Sequence, residues 1–429
     1  MGRPAFTRFL VPRAGSEDAG VTWGGESASW EALLRTGRER AESIRPRRAY
    51  LVDPTAGIEA LVSMLAVATV PDTVLLWVDP ASFPLPKRSI APALHQVDNP
   101  MRERVGRPMW AIATSGSSGS PKLALGYADA WEMVALHYER AMFGGALPST
   151  IATCLPMQFS AAFFMTVLPS LLLRRDLVVF SPHDWKPVQE LARDRDVFVL
   201  GVPALAAAAC LGTPSPVDMS RVSLFLGGGH VSAERVALIR ERFAGVSITN
   251  LYGTAETGAI AIDRDPGHNQ HVGPPLPGKA VWLEDQDDRG VGAVAVAGPD
   301  CCRYLWRPGS EPVPNAGYVA STDYGRFDAA GNLCLEGRVD GGEKLMGVLV
   351  YPRSVERHLL ALPGVVDARV LVERTPSGLE HLAARVVGTV NADQVREHCS
   401  VLADAEQPTR IECIAEDAAL AAYSANGKL

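Results

Sequence analysis

No stretch of this 429-residue chain is long and apolar enough to read as a membrane span. The longest apolar run, residues 161–173, is broken by Thr166, Pro169 and Ser170 and stops at Arg174-Arg175. That is short of the ~20 consecutive apolar residues a bilayer requires. Blocks of lysine or arginine are also missing, and a formal net charge of −7 argues against a nucleic-acid surface. The seven cysteines are an odd number, scattered apart from Cys301-Cys302, with no C-x-x-C spacing. This suits reduced thiols in a cytoplasm and excludes both a disulfide framework and a zinc site. The nine histidines form no H-x-x-x-H or H-E-x-x-H pair, so no dedicated metal cage is expected. Residues 1–15 carry Arg3, Arg8 and Arg13 without an apolar core, unlike a secretory signal. Phe6 stands where an N-myristoylation motif needs Ser or Thr. What is present is 47% hydrophobic and 21% charged, an ordinary globular composition, at a length that predicts two or three domains. The expected protein is cytoplasmic, with neither a nucleic-acid nor a membrane partner.

Short apolar runs alternate with helix-like stretches through most of the chain. Residues 49–52, 74–78, 109–113, 177–180, 197–200, 222–226 and 247–251 read as strands. Residues 30–43, 58–67, 129–142, 185–193, 203–211 and 232–243 read as helices between them. Such alternation predicts an α/β fold with helices on both faces of its sheets. After about Pro266 the pattern changes. Residues 272–278, V-G-P-P-L-P-G, are punctuated by turns, and 280–283, 291–297 and 333–336 read as strands of a β-rich subdomain. Beyond Asp340 comes a compact α+β tail, with helices near 352–362 and 392–401 and strands near 365–373 and 382–387.

Residues 109–113 run directly into T-S-G-S-S-G-S-P-K, residues 114–122. Glycines let consecutive N–H groups face one concave side, and hydroxyls add further donors there. Thr114, Ser115, Gly116, Ser117, Ser118 and Gly119, closed by Lys122, form a candidate polyphosphate cradle. It is not a Walker loop, because Ser120 and Pro121 separate the second glycine from the lysine.

Five further segments follow in order. They are L-G-G-G-H-V-S at 226–232, N-L-Y-G-T-A-E-T-G at 250–258, G-Y-V-A-S-T-D-Y-G at 317–325, and G-R-V-D-G-G-E-K-L-M-G-V-L-V-Y-P-R-S-V-E at 337–356, with S-A-N-G-K at 424–428 closing the chain. Together with the loop they resemble the ordered core motifs of the adenylate-forming superfamily of acyl- and aryl-CoA synthetases, peptide-synthetase adenylation domains and luciferases. The pattern is nearest to the acyl/aryl-CoA ligases, in a shortened form.

The resemblance implies a large adenylation domain (residues 1–339) that binds ATP and an acid, and a small mobile C-terminal domain (340–429). It implies ATP and Mg²⁺ as cofactors, and CoA or a carrier-protein pantetheine as acceptor. Thr114 to Lys122 match the loop that holds the β- and γ-phosphates, with Thr114 counted among the catalytic groups. Glu256 matches the residue that holds Mg²⁺, and one carboxylate with phosphate oxygens needs no protein cage. Asp323 and Arg338 match the ribose partners, while Gly228, Gly229, Asn250, Tyr252, Gly253 and Thr254 fall where the family places nucleotide. Asp340 falls at the hinge and Gly347 on the face lining the thiol tunnel. Lys428 matches the lysine that meets the carboxylate and the α-phosphate while the acyl–phosphate bond forms. Read alone, Glu256 would be a solvated acid, Asp323 a turn residue and Arg338 a surface ion-pair partner; their order along the chain favours the site.

Ala255 replaces a threonine of the family motif, Ser321-Thr322-Asp323 replaces T-G-D, and Gly341 replaces the second hinge aspartate. Ser160 stands where amino-acid-activating relatives carry the aspartate that pairs with the substrate ammonium. A buried ammonium without a counter-charge is costly, so an α-amino acid is disfavoured. Phe159, Ser160, Phe163, Val202, Gly229 and His230 are the expected pocket residues, and an aryl or modest-sized apolar carboxylic acid is the expected substrate. Transfer to an amine, or a non-catalytic nucleotide-binding relative, are the alternatives.

Overall fold

The computed structural model describes residues 19–101, 107–114, 122–213, 215–229, 231–266, 271–338, 343–345, 348–374 and 380–423. Its centre is a sandwich of two eight-stranded sheets with helices between them. The first sheet runs in the order Gly258–Asp263, Ser247–Thr254, Val222–Gly227, Val197–Gly201, Thr150–Thr153, Asp176–Val179, Gly20–Trp23, Glu26–Ser29. Its six inner strands pair in parallel, and the two outermost pairings are antiparallel. The second sheet is mixed and holds Met109–Ala113 between Val74–Trp77 and Leu123–Tyr127.

Period-two alternation decides which side of the first sheet each residue fills. Phe198 and Leu200 face the inter-sheet core with Trp77, Trp110 and the helices Ile58–Thr69 and Ala128–Phe143. Val197 and Val199 face a second core under the helices Pro203–Leu211 and Ala233–Arg242. Helices therefore cover both faces of this sheet, as expected. The second sheet differs: on its outer face Phe83 and Met101, which come from loops, pack with Tyr304 and Trp306 of the sheet's own strand Tyr304–Trp306.

A four-stranded antiparallel sheet, Ala280–Glu284, Gly292–Ala297, Val319–Phe327 and Leu333–Arg338, forms the β-rich unit after the turn at 272–278. The C-terminal stretch builds its own apolar cluster from Val355, Leu359, Val370, Leu382, Ala384, Val395 and neighbours, over the sheet Val365–Arg374, Glu380–Gly388 and Arg410–Ile414. It rests on the rest of the chain through a second, smaller cluster, where Leu205 and Ala208 meet Val387, Ala419 and Tyr423. At that seam Arg235 and Asp367 form an ion pair with side chains only 5% and 7% exposed. Arg235 Nε also donates to the Val366 carbonyl at 3.2 Å, and the Tyr423 hydroxyl donates to Asp367 Oδ2 at 2.5 Å. No helix among the described residues is long and apolar enough to cross a membrane.

Candidate functional site

The candidate phosphate loop is the connection of a β-hairpin. Met109–Ala113 and Leu123–Tyr127 pair antiparallel with Ala113 opposite Leu123, and Thr114 N–H donates to the Lys122 carbonyl at 2.8 Å. The two ends of the loop are thereby pinned together. Ser115, Gly116, Ser117, Ser118 and Gly119 lie outside the described residues. Gly126 lets this hairpin form, because a Cβ there would collide with the Trp110 indole.

Ser247–Thr254 carries the next group of residues. Asn250, nine-tenths buried, pairs in register with Leu226, so the strand end lies beside Gly227–Gly229. Gly228 has φ +74°, a left-handed conformation that disfavours side chains. A Cβ on Gly229 would lie 3.4 Å from Pro203 and 3.8 Å from Val202, which joins Gly229 to the N-terminus of Pro203–Leu211. A bulge separates Tyr252 from Gly253, and Gly253 crosses Gly258 too closely for any side chain. The Tyr252 hydroxyl donates to Asp323 Oδ2 at 2.7 Å, and Asp323 N–H is held by Ser321 Oγ at 3.0 Å. Asp323 stands opposite Arg338 in register. Tyr252, Asp323 and the backbone position of Arg338 are therefore neighbours.

Beyond Thr254 the chain turns back on itself. Thr254 and Thr257 hydroxyls lie 3.0 Å apart, and Thr257 Oγ1 also accepts from Thr254 N–H at 3.3 Å. The Glu256 carbonyl accepts from Cys302 N–H at 2.7 Å. Its partly exposed carboxylate makes no hydrogen bond or ion pair with another described residue. Burial pushes the Cys302 thiol up to about 12; a hydrogen bond from Asn315 opposes this, the Glu256 charge adds to it, and the Lys122 charge opposes it. Among the described residues no group of three or more His, Cys, Asp or Glu could hold a metal. A single unengaged carboxylate fits Mg²⁺ carried mainly by phosphate oxygens.

The expected acid pocket is only partly assembled. Phe159 is 36% exposed and begins the helical run 160–172, with Ser160 partly exposed behind it. Val202 and Gly229 are in contact range, as above. Phe163 is a correction: it is fully buried, its ring centroid 4.9 Å from that of Trp77, and it gives no surface to a pocket wall. Every residue from 162 to 172 is buried, through the π-helical turn Phe163–Val167 and the helix after it, so this run packs into the core on all sides. His230, Asp340, Gly347 and Lys428 lie outside the described residues.

Sequence reasoning did not find Lys279, Asp300 and Tyr138, buried behind the Glu256 turn, nor the Arg235–Asp367–Tyr423 seam. No local pattern marks them, since each pairing joins residues distant in the chain.

The sequence profile of the AMP-binding enzyme family matches residues 47–306, and the chain belongs to that family, within the adenylate-forming ligase superfamily. It is 29% identical over 431 aligned residues to CymA of Salinispora arenicola, a probable non-canonical nonribosomal peptide synthetase. That alignment takes in 91% of this chain and 5% of CymA, so the chain spans a small fraction of that relative's length. The fold is shared with ATP-bound MatB from Rhodopseudomonas palustris, at 19% identity and a TM-score of 0.74, covering 96% of this chain and 95% of that one. It is shared too with the amide bond synthetase McbA from Marinactinospora thermotolerans, at 23% identity and a TM-score of 0.61, covering 95% and 94%.

Proposed function

We propose that this chain activates a carboxylic acid with ATP, forming an acyl-AMP and releasing pyrophosphate, and then passes the acyl group to a thiol of CoA or of a carrier protein. In the first step a carboxylate oxygen attacks the α-phosphorus, and the bond to the bridging oxygen breaks as pyrophosphate leaves with the electron pair. In the second, the thiol sulfur attacks the acyl carbonyl carbon and AMP departs. The observation that carries this reading is the Tyr252–Asp323 hydrogen bond at 2.7 Å, with Arg338 opposite Asp323 in register, which brings positions from three of the ordered motifs together.

In this reading Thr114 to Gly119 and Lys122 hold the β- and γ-phosphates, and Asp323 with Arg338 takes the ribose. Tyr252, Gly228, Gly229, Asn250, Gly253 and Thr254 surround the nucleoside and α-phosphate. Glu256 holds Mg²⁺, which when bound neutralises phosphate charge. Lys428 stabilises the developing charge between carboxylate and α-phosphorus. Phe159, Ser160, Val202, Gly229 and His230 bound an aryl or apolar acid, and Ser160 offers an α-ammonium no counter-charge. The small domain, 340–429, turns about Asp340 and brings Gly347 towards the thiol. Its separate apolar cluster supports treating it as a unit.

CymA being a peptide synthetase by name favours a carrier-protein thiol as acceptor. The fold shared with McbA favours a second reading, transfer to an amine. One experiment tests activation directly: Mg²⁺-dependent exchange of pyrophosphate into ATP across a panel of aryl, aliphatic and amino acids. Exchange with an aryl or apolar acid is expected. Folded protein that exchanges with no acid overturns the proposal, and a preference for α-amino acids overturns the substrate class.

A further inference from the structure

Behind the turn that carries Glu256 lies a pair of buried charges that the proposed chemistry does not use. Lys279 and Asp300 are ion-paired with side chains 1% and 5% exposed. Removing two charges from water is expensive, and apolar residues of similar volume often serve packing as well or better. The contacts of this pair converge on residues 257–259, the segment that directly follows Glu256. Lys279 Nζ donates to the Thr257 carbonyl at 2.5 Å as well as to Asp300 Oδ1. Asp300 Oδ2 accepts from the Tyr138 hydroxyl at 3.4 Å, and that hydroxyl accepts from Ala259 N–H at 3.1 Å. Burial, with the Asp300 charge second, pushes the Tyr138 phenol well up, so it stays protonated and able to donate. Gly258, at φ +65°, sits so near Asp300 that a Cβ would strike the carboxylate. With Cys302 N–H on the Glu256 carbonyl, backbone groups of Glu256, Thr257 and Ala259 are each held by a partner from elsewhere in the chain. The Glu256 carboxylate takes no part in this network.

We propose that Lys279, Asp300 and Tyr138 are positioning residues for Glu256, bracing its turn from behind so that its carboxylate is preset for the divalent cation that accompanies ATP. This rests on the reading of Glu256 given above. A carboxylate on an unbraced turn must be ordered when the cation binds, and that entropy weakens cation-dependent binding in particular. The brace therefore acts on Mg²⁺-dependent affinity and leaves recognition of adenine and ribose alone.

The test measures binding, not turnover. ATP is titrated into the protein by calorimetry at a series of Mg²⁺ concentrations, AMP is titrated without metal, and melting temperature is recorded. The variants are Lys279→Met/Asp300→Asn, which removes both charges together, and Tyr138→Phe, which removes one hydroxyl. The double variant is expected to raise the Mg²⁺ concentration for half-maximal ATP binding at least tenfold, with AMP affinity changed less than twofold. Tyr138→Phe is expected to raise it about threefold. An unchanged Mg²⁺ half-point in a folded double variant overturns the brace, as does an equal loss of AMP affinity. If the double variant does not fold, an unchanged half-point in Tyr138→Phe overturns it. A parent chain that binds ATP with no response to Mg²⁺ overturns the metal role of Glu256, and the brace falls with it. A Mg²⁺ response shared equally by parent and variants overturns the brace alone.

Discussion

The Tyr252 hydroxyl donates a hydrogen bond to Asp323 Oδ2, across 71 positions of sequence, at 2.7 Å. The contact links the bulge after Tyr252 to the antiparallel strand Val319–Phe327, and so couples the first eight-stranded sheet to the β-rich unit. Tyr252 orients the Asp323 carboxylate, and Ser321 Oγ accepts from the Asp323 backbone N–H.

Asp323→Ala is expected to weaken ATP use by about 2–3 kcal/mol, the loss of charge-assisted hydrogen bonds. Tyr252→Phe should cost about 1 kcal/mol, since the acid remains and one neutral donor is lost. KM for ATP, with the acid saturating, reads both. A change below threefold for Asp323→Ala removes the ribose assignment.

Ser160→Asp puts a carboxylate where the substrate's apolar body is expected, and kcat/KM for the preferred acid should fall at least tenfold. An unchanged value takes Ser160 out of the pocket, and the argument against α-amino acids goes with it.

The two half-reactions should fail separately. Lys428→Ala should cut pyrophosphate exchange by two orders of magnitude or more, as loss of a contact made only in the transition state does. The same variant, supplied with acyl-AMP and thiol, should still form thioester. Gly347→Trp should do the reverse. Loss of the same half-reaction in both variants rules out a turning C-terminal domain.

Arg235→Met strands the Asp367 carboxylate in the seam and should lower stability by about 3–5 kcal/mol, whereas Arg235→Met/Asp367→Leu should recover most of it. Urea unfolding of the parent and both variants decides this. A double variant as unstable as the single one would mean the pair is held for its packing and not for its charge.

The helix Pro203–Leu211 was legible to the residue because proline at its first position fixes its start. Thr150–Thr153 was not legible, since threonine reads as polar until its burial is seen; here Thr153 satisfies its hydroxyl on the Leu200 carbonyl. Leu123–Tyr127 was hidden by Gly126, which is there for the Trp110 ring. Motif order is what singles out Glu256 and Asp323 as candidate site residues. Lys279 and Arg235 were not: one follows a proline-rich turn and the other lies in a helix with Arg240 and Arg242, and sequence alone does not say which arginine is buried. The burial of Phe163 escaped because residues 162–172 are buried on every side, and an apolar run reads the same whether it lines a pocket or fills a core.

The seam at Arg235 and Asp367 carries a consequence for solution conditions. Exposed pairs in the same region, such as Arg385 with Glu412 at 44% and 50% exposure, lose their attraction as salt is added. Counter-ions cannot reach between Arg235 and Asp367, so concentrated salt will strip the surface of its ionic contacts and leave this attachment in place. The C-terminal layer should therefore stay attached at salt concentrations that dissolve the exposed pairs around it.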